Sequence, residues 1–165
     1  NGVFKYIDTE YDIQQNVKVT SSHIFEKEFN PRNLLIRTET HKSINDIFSV
    51  DSMVASVTFQ LIGFLLKPSS YLMKSVPKAS DGLGPVSWKF EASVDGNDEN
   101  MPWVVLGEVN DNDCLLNDNA ASIFILKDSF RYFSWFRITQ TKSRENKFSL
   151  SRFELFGEIF SNLTK

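Results

Sequence analysis

The side chains that could carry out chemistry are few in this sequence, and they do not form a catalytic set. The two histidines, His23 and His41, lie eighteen residues apart, and Cys114 is the only cysteine. Zinc sites need closely spaced Cys or His ligands, and a nucleophilic enzyme needs a base beside its nucleophile. Neither pattern is present, and there is no glycine-rich phosphate-binding motif. We therefore expect a protein that is not an enzyme.

Oxygen ligands for a cation are concentrated in Asn110-Asp111-Asn112-Asp113. This segment lacks the spacing and the bidentate glutamate of an EF-hand, so a solvated turn is the better interpretation. We expect no cofactor. A single cysteine cannot form an intramolecular disulfide, which favours a reducing compartment.

Charge is unevenly placed, although the net charge of the 165-residue chain is only −3. From Glu91 to Asp118 there are eight acidic residues and no Lys or Arg, and from Arg131 to Arg152 there are six basic residues and one acidic residue. The net charge argues against nucleic acid as a partner, and no apolar run is long enough to span a bilayer. The separated charges predict either two solvated surfaces or a dipolar module that docks on another protein.

Alternating apolar residues and turn signals predict the elements that position these side chains. We expect about eight strands, within 17–21, 56–61, 71–76, 86–93, 103–109, 122–126, 133–140 and 150–159, and one short strand within 44–50. A further edge strand is predicted at 3–7, a turn at Pro68 and a short helix at 33–37. The 15 phenylalanines suit half-buried pleated surfaces. The pattern predicts a one-domain, all-β protein built as an antiparallel β-sandwich or jelly roll.

The order of the motifs in the second half resembles that of the discoidin, or coagulation factor 5/8 type C, domain of the galactose-binding-like superfamily. The motifs are Trp88-x-x-Glu91-x-Ser93, Asp95-Gly96, Trp103, Phe136-Arg137-Ile138-x-Gln140-Thr141 and Phe153-Glu154-Leu155-Phe156-Gly157. The resemblance implies a discoidin-like domain at 17–160, an N-terminal edge segment of the same domain at 1–16 and a tail at 161–165. Secreted members usually carry a cysteine near each end, and this chain has neither. The resemblance therefore implies an intracellular, cytoplasmic protein, with a ciliary or cytoskeletal assembly as a home by analogy.

These family motifs are mostly structural. We expect alternate side chains to fill the sandwich core, namely Trp88, Phe90, Phe136, Ile138, Phe153 and Leu155. Arg137 should face the other way and pair with Glu154 or Glu91. Gly96 is expected to serve a turn conformation.

Members of the family bind ligands through loops at one end of the sandwich, which the resemblance places within 22–37, 40–51, 77–85 and 141–147. The ligand-binding candidates in and beside these loops are His23, Phe25, His41, Lys74 and Arg144. Sugar-binding relatives often hold a structural calcium in a loop with Asp-Gly. The matching region here reads Asn30-Pro31-Arg32-Asn33, which departs from that pattern, so a structural calcium is doubtful.

The function expected from the sequence is a non-catalytic interaction module that binds another protein within a larger intracellular assembly. The alternative is a carbohydrate-binding module of galactoside type. A third reading is phospholipid binding through the apolar pairs Ile24-Phe25 and Leu34-Leu35. The nearby acidic residues Glu26, Glu28 and Glu39 would be repelled by anionic lipid and disfavour this reading. The sequence leaves the oligomeric state open.

Overall fold

The computed structural model describes residues 1–35, 47–77, 84–117, 120–127 and 129–163. It contains helices α1 (Val3–Glu10) and α2 (Ile13–Asn16) and two 3₁₀ helices, Lys27–Phe29 and Pro31–Leu35. The strands are β1 (Val17–Ser21), β2 (Phe48–Val50), β3 (Ser56–Leu61), β4 (Phe64–Lys74), β5 (Ser87–Ser93), β6 (Val104–Val109), β7 (Ala121–Ile125), β8 (Trp135–Lys142), β9 (Phe148–Leu150) and β10 (Arg152–Ser161). None of the helices in the described ranges is long and apolar enough to cross a membrane.

The strands form a β-sandwich, which confirms the predicted fold class. A five-stranded sheet has the order β1-β3-β8-β5-β6, a three-stranded sheet has the order β10-β4-β7, and β2 pairs with β9. All strand pairs are antiparallel. Inward and outward residues alternate along each strand, as in β3, because successive side chains of a strand point to opposite faces.

An aromatic core fills the space between the two larger sheets. All six residues predicted to point inward are buried, as expected. The rings of Tyr71 and Phe90 stack with centroids 4.5 Å apart, and Phe59 and Phe153 stack at the same distance. Trp88 donates its indole N–H to the buried hydroxyl of Tyr71 at 2.9 Å. This bond satisfies the polar atoms of two large side chains that otherwise contribute apolar surface.

The buried hydroxyl of Tyr71 should make the fold sensitive to alkali. Burial raises the pKa of Tyr71 from its ordinary value of 10.0 to about 12. The hydrogen bond from Trp88 lowers this pKa, but by less than burial raises it. The unfolded chain therefore loses this proton first, and stability is lost as pH rises from 10 towards 12. We expect roughly 1.4 kcal/mol less unfolding free energy per pH unit in that window from this group.

Urea denaturation across that pH range measures the effect. The Tyr71→Phe variant is the control, because it removes the ionisable group and keeps the ring. An alkaline slope that is equally steep in wild type and variant would contradict the assignment to Tyr71.

The predicted edge strand at 3–7 is wrong, because this segment is the helix α1. Val3, Phe4 and Ile7 are buried, a spacing that places them on one face of a helix. Phe4 packs against Phe59 and Phe153, and its N–H donates to the buried carboxylate of Glu154 at 2.8 Å. The helix packs against β10, at an edge of the sandwich.

The predicted turn at Pro68 is also wrong, because β4 runs through this residue. The chain turns earlier, at Gly63, whose φ of +81° is readily adopted by glycine. Pro68 sits beside a register shift between Phe156 and Gly157 of β10. Proline has no N–H to donate to a ladder, and a bulge is a place where a strand tolerates that loss. The short strand β9 was not predicted.

Candidate ligand-binding tip

One end of the sandwich collects the loops in which ligand contacts were predicted. The end of β1 lies beside the start of β3 in space, and the end of β8 lies beside the start of β5, because these strands are antiparallel neighbours. The β3–β4 turn lies at the opposite end, so β4 also finishes at this end. We call this end the tip, and its described residues are 22–26, 51–55, 75–77, 84–86, 110–117 and 143–147.

A short hydrogen-bonded chain positions His23 at the tip. The Ser56 N–H donates to the Ser22 hydroxyl oxygen at 2.8 Å. The same hydroxyl lies 2.8 Å from His23 Nδ1, and the backbone N–H of His23 donates to Ser21 Oγ at 3.2 Å. These contacts hold the ring of an exposed histidine. Since Nδ1 is engaged, Nε2 is the ring atom available to a ligand.

Exposed apolar residues occur in the two loops that are joined beside this histidine. Ile24 is 99% exposed, and Met53 and Val54 are also exposed. Ser22 and Ser56 are hydrogen-bonded to each other, so the loops that carry these residues begin as neighbours. A small ligand at this point would meet an imidazole nitrogen and an aliphatic surface together.

A buried glutamine connects two of the tip loops. Gln140 is fully buried, and its Nε2 donates to the carbonyls of Met53 at 2.8 Å and Lys147 at 3.1 Å, with Ser52 O at 3.3 Å. The sequence motifs predicted Gln140 only as a member of a strand. One sequence feature could have predicted this role. Gln140 is a polar residue at an inward position of an alternating apolar strand, and a buried amide there must find hydrogen-bond partners.

The structure places the other predicted site residues apart from His23. Phe25 is partly buried and packs against the hydrophobic core. Lys74 ends β4 in the three-stranded sheet, and Arg144 follows β8, which is separated from β1 by one strand. Strands two places apart are roughly 10 Å from each other. His41 lies outside the described residues. The same end of the sandwich therefore holds His23, Phe25, Lys74 and Arg144, but Phe25 packs against the core and Lys74 belongs to the other large sheet.

The separated charges of the sequence meet in space. Lys142 pairs with Asp111 at 2.5 Å, and Arg144 reaches Asp113 at 3.4 Å. Both pairs join the basic stretch to the acidic stretch across the tip, and their side chains are well exposed. Exposed pairs stabilise a protein by about 0–1 kcal/mol, so their main consequence is local neutralisation. This pairing removes part of the argument for a dipolar docking surface.

A third pair of this kind lies on the outer face of the five-stranded sheet. Arg137 donates to Glu91 through Nε at 2.9 Å and Nη2 at 3.1 Å, and Thr139 donates at 2.8 Å. Burial alone would raise the pKa of Glu91, but the bonds from Arg137 and Thr139 outweigh it and hold the pKa below its ordinary value. The guanidinium also lies 4.0 Å from the centre of the Trp103 ring. Arg137 therefore pairs with Glu91, one of its two predicted partners.

Gly96 lies on the same face, and its expected role needs correction. Its φ is not positive, so the turn alone does not require glycine. A Cβ here would lie 2.6 Å from Trp135 Cε3 and 2.9 Å from Trp103 Cζ2. Gly96 is therefore needed for close packing against two tryptophans.

Metal ligation finds no support among the residues that the structure describes. They contain no group of three or more His, Cys, Asp or Glu side chains that could hold an ion. The tip offers hydrogen-bonding groups, aliphatic surface and two ion pairs, together with further exposed charged side chains such as Glu26 and Asp51.

Comparison with known proteins identifies the fold. No protein-family model and no curated protein sequence matches the chain. Among solved structures, the Clostridium perfringens module CpGH89CBM32-5, in complex with GalNAc-β-1,3-galactose, has a TM-score of 0.61 and 15% identity, covering 87% of this chain and 97% of that one. The family 32 carbohydrate-binding module of Streptococcus pneumoniae EndoD has a TM-score of 0.61 and 15% identity, with coverage of 86% and 96%.

A third neighbour is the family 32 module of C. perfringens NanJ, in complex with galactose. It has a TM-score of 0.57 and 16% identity, covering 86% of this chain and 94% of that one. The chain therefore has the discoidin-like, galactose-binding-like β-sandwich fold that the sequence motifs implied. The match spans nearly the whole of each neighbouring module. At these identities the likeness concerns the fold.

Proposed function

We propose that this protein is a non-catalytic carbohydrate-binding module whose ligand contacts the tip beside His23. The observation that carries the proposal is the exposed imidazole held by Ser22, on a fold shared with modules whose structures contain galactose or GalNAc-β-1,3-galactose. Sugar hydroxyls donate and accept hydrogen bonds, so an oriented imidazole nitrogen is a suitable partner. The adjacent aliphatic side chain of Ile24 offers a contact for the apolar face of a sugar ring.

The proposal reverses the order of the two leading sequence-based hypotheses. Docking on another protein drew support from the separated charges, which meet in three ion pairs in the described part of the chain. The structural neighbours favour the carbohydrate alternative. The galactoside preference, the intracellular location and the disfavoured lipid binding stay predictions.

The proposal predicts that His23→Ala weakens glycan binding by about tenfold or more. Loss of one ligand hydrogen bond costs about 1.4 kcal/mol, which corresponds to a factor of ten in the dissociation constant. Isothermal titration calorimetry with galactose and with GalNAc-β-1,3-galactose measures the change, after a glycan array has identified wild-type ligands. Ser22→Ala should weaken binding less, because the ring remains but loses its orientation.

A matched control separates the site from the general surface. Lys5→Ala alters an exposed residue on α1, which packs on β10 and lies outside the described tip residues, and this variant should bind as wild type does. A wild-type protein that binds no glycan on the array would refute the proposed function. Retention of a purified protein partner at low salt, without any glycan binding, would restore the protein-docking hypothesis.

A further inference from the structure

The strand β7 differs from the other edge strands of the two larger sheets, which are β1, β6 and β10. β1 carries Lys18 on its outward face, and β6 carries Glu108 beside a register shift. β10 has a bulge and Glu158, and α1 packs against it. Charges, bulges and covering elements are the usual means by which proteins keep sheet edges from pairing. β7 has none of these in the described structure, since Ala121–Ile125 contains no charge and pairs with β4 without a register shift.

The side chains of β7 add apolar surface at the same edge. Ile123 is 57% exposed and Ile125 is 81% exposed. On the neighbouring strand, Leu72 lies opposite Ile123 and is only partly buried. An uncharged, apolar edge strand without a bulge is a template for another strand.

The hydrogen-bond pattern shows which backbone groups of β7 are available. Ser75 N–H donates to Ala120 O at 2.8 Å, and Leu126 N–H donates to Ser69 O at 2.9 Å, on either side of β7. In an antiparallel ladder, alternate residues direct both backbone groups to the same neighbour. Ser122 and Phe124 therefore face β4. The N–H and C=O groups of Ala121, Ile123 and Ile125 face the edge at which no strand in the described ranges pairs with β7.

We infer that β7 is a homodimer interface, in which two copies of this chain pair their β7 strands antiparallel about a two-fold axis at Ile123. In this register Ile123 lies opposite its own copy, and Ala121 lies opposite Ile125. All three residues with open backbone groups then both donate and accept across the axis. A small residue faces a large one, and no like charges meet because β7 has no charges. The contact would be isologous, as two-fold dimers require, and the two tips would point in opposite directions.

Cysteine cross-linking tests the register. Ile123→Cys in a Cys114→Ser background would place two Cα atoms about 5.5 Å apart, which is within disulfide reach. Ile125→Cys in the same background is the matched control, because its copies would be about 14 Å apart along the strands. We expect at least tenfold more disulfide-linked dimer from the first variant after mild oxidation, seen on non-reducing gels. Equal yields, or no cross-link with Ile123→Cys, would overturn the inference.

Sedimentation velocity gives an independent test on the unmodified chain. Wild type should dimerise with increasing concentration, and Ile123→Lys should raise the dissociation constant at least tenfold, because two ammonium groups would meet at the axis. Ile62→Lys, an exposed isoleucine in the turn between β3 and β4, should dimerise as wild type does. Circular dichroism checks that each variant is folded. A wild-type chain that stays monomeric up to roughly 1 mM would refute the dimer, as would an edge occupied only by foreign peptides.

Discussion

Replacing Phe153 by alanine should destabilise the protein by about 3–5 kcal/mol, the usual cost of truncating a buried phenylalanine. Its ring is at the centre of the sandwich, with centroid distances of 4.5 Å to Phe59, 5.9 Å to Tyr71 and 6.3 Å to Phe4. It therefore touches rings from both sheets and from α1. The cavity left behind would remove dispersion contacts from all three elements.

The same strand supplies the control for this prediction. Phe160 lies on β10 as well, but it is 58% exposed, so Phe160→Ala should change the unfolding free energy by less than about 1 kcal/mol. Urea denaturation with a constant m-value measures both variants. If Phe153→Ala lost no more stability than Phe160→Ala, the aromatic centre would not be the main source of cohesion between the sheets.

The second large effect is expected from Gln140→Leu. Leucine has a similar size, so the change removes the amide while keeping the buried volume. The carbonyls of Met53 and Lys147 would then lose the Nε2 donor that both share. A hydrogen bond of this kind contributes about 0.5–1.5 kcal/mol, so the loss of both should lower the unfolding free energy by roughly 1–3 kcal/mol. Oε1 of Gln140 has no partner in the structure, so its removal adds no cost.

The position of the destabilised residues distinguishes Gln140→Leu from a variant that weakens the whole core. Hydrogen exchange should accelerate in the loops around Met53 and Lys147, while the central strands stay protected. If the proposed function holds, glycan affinity should fall as well, because the Met53 loop adjoins His23. Gln60→Leu is the control, since Gln60 lies on the outward face of β3 and is only partly buried. Unchanged loop exchange in Gln140→Leu would contradict the proposed connection between the loops.

The contrast between Phe153 and Gln140 shows what the sequence could predict. Phe153 alternates with polar neighbours in a strand pattern, so its inward orientation follows from the period of two. The same rule located β1 and β3 at their observed bounds and identified the core. Gln140 obeys the period too, but its partners are carbonyls 7 and 87 residues away in the chain. A strand pattern contains no information about which distant loops meet an inward amide.

The sequence by itself determined the β-sandwich, its aromatic core and, through the family motifs, the discoidin-like fold, because these depend on local alternation and on motif order. It missed the helix α1, since Val3, Phe4 and Ile7 suit either a short strand or one helical face, and only the space beside β10 decides between them. Tertiary structure alone decided how the tip is assembled. The chemistry of the tip depends on Ser22, Ser56 and Gln140, whose roles arise from contacts between loops that are distant in sequence.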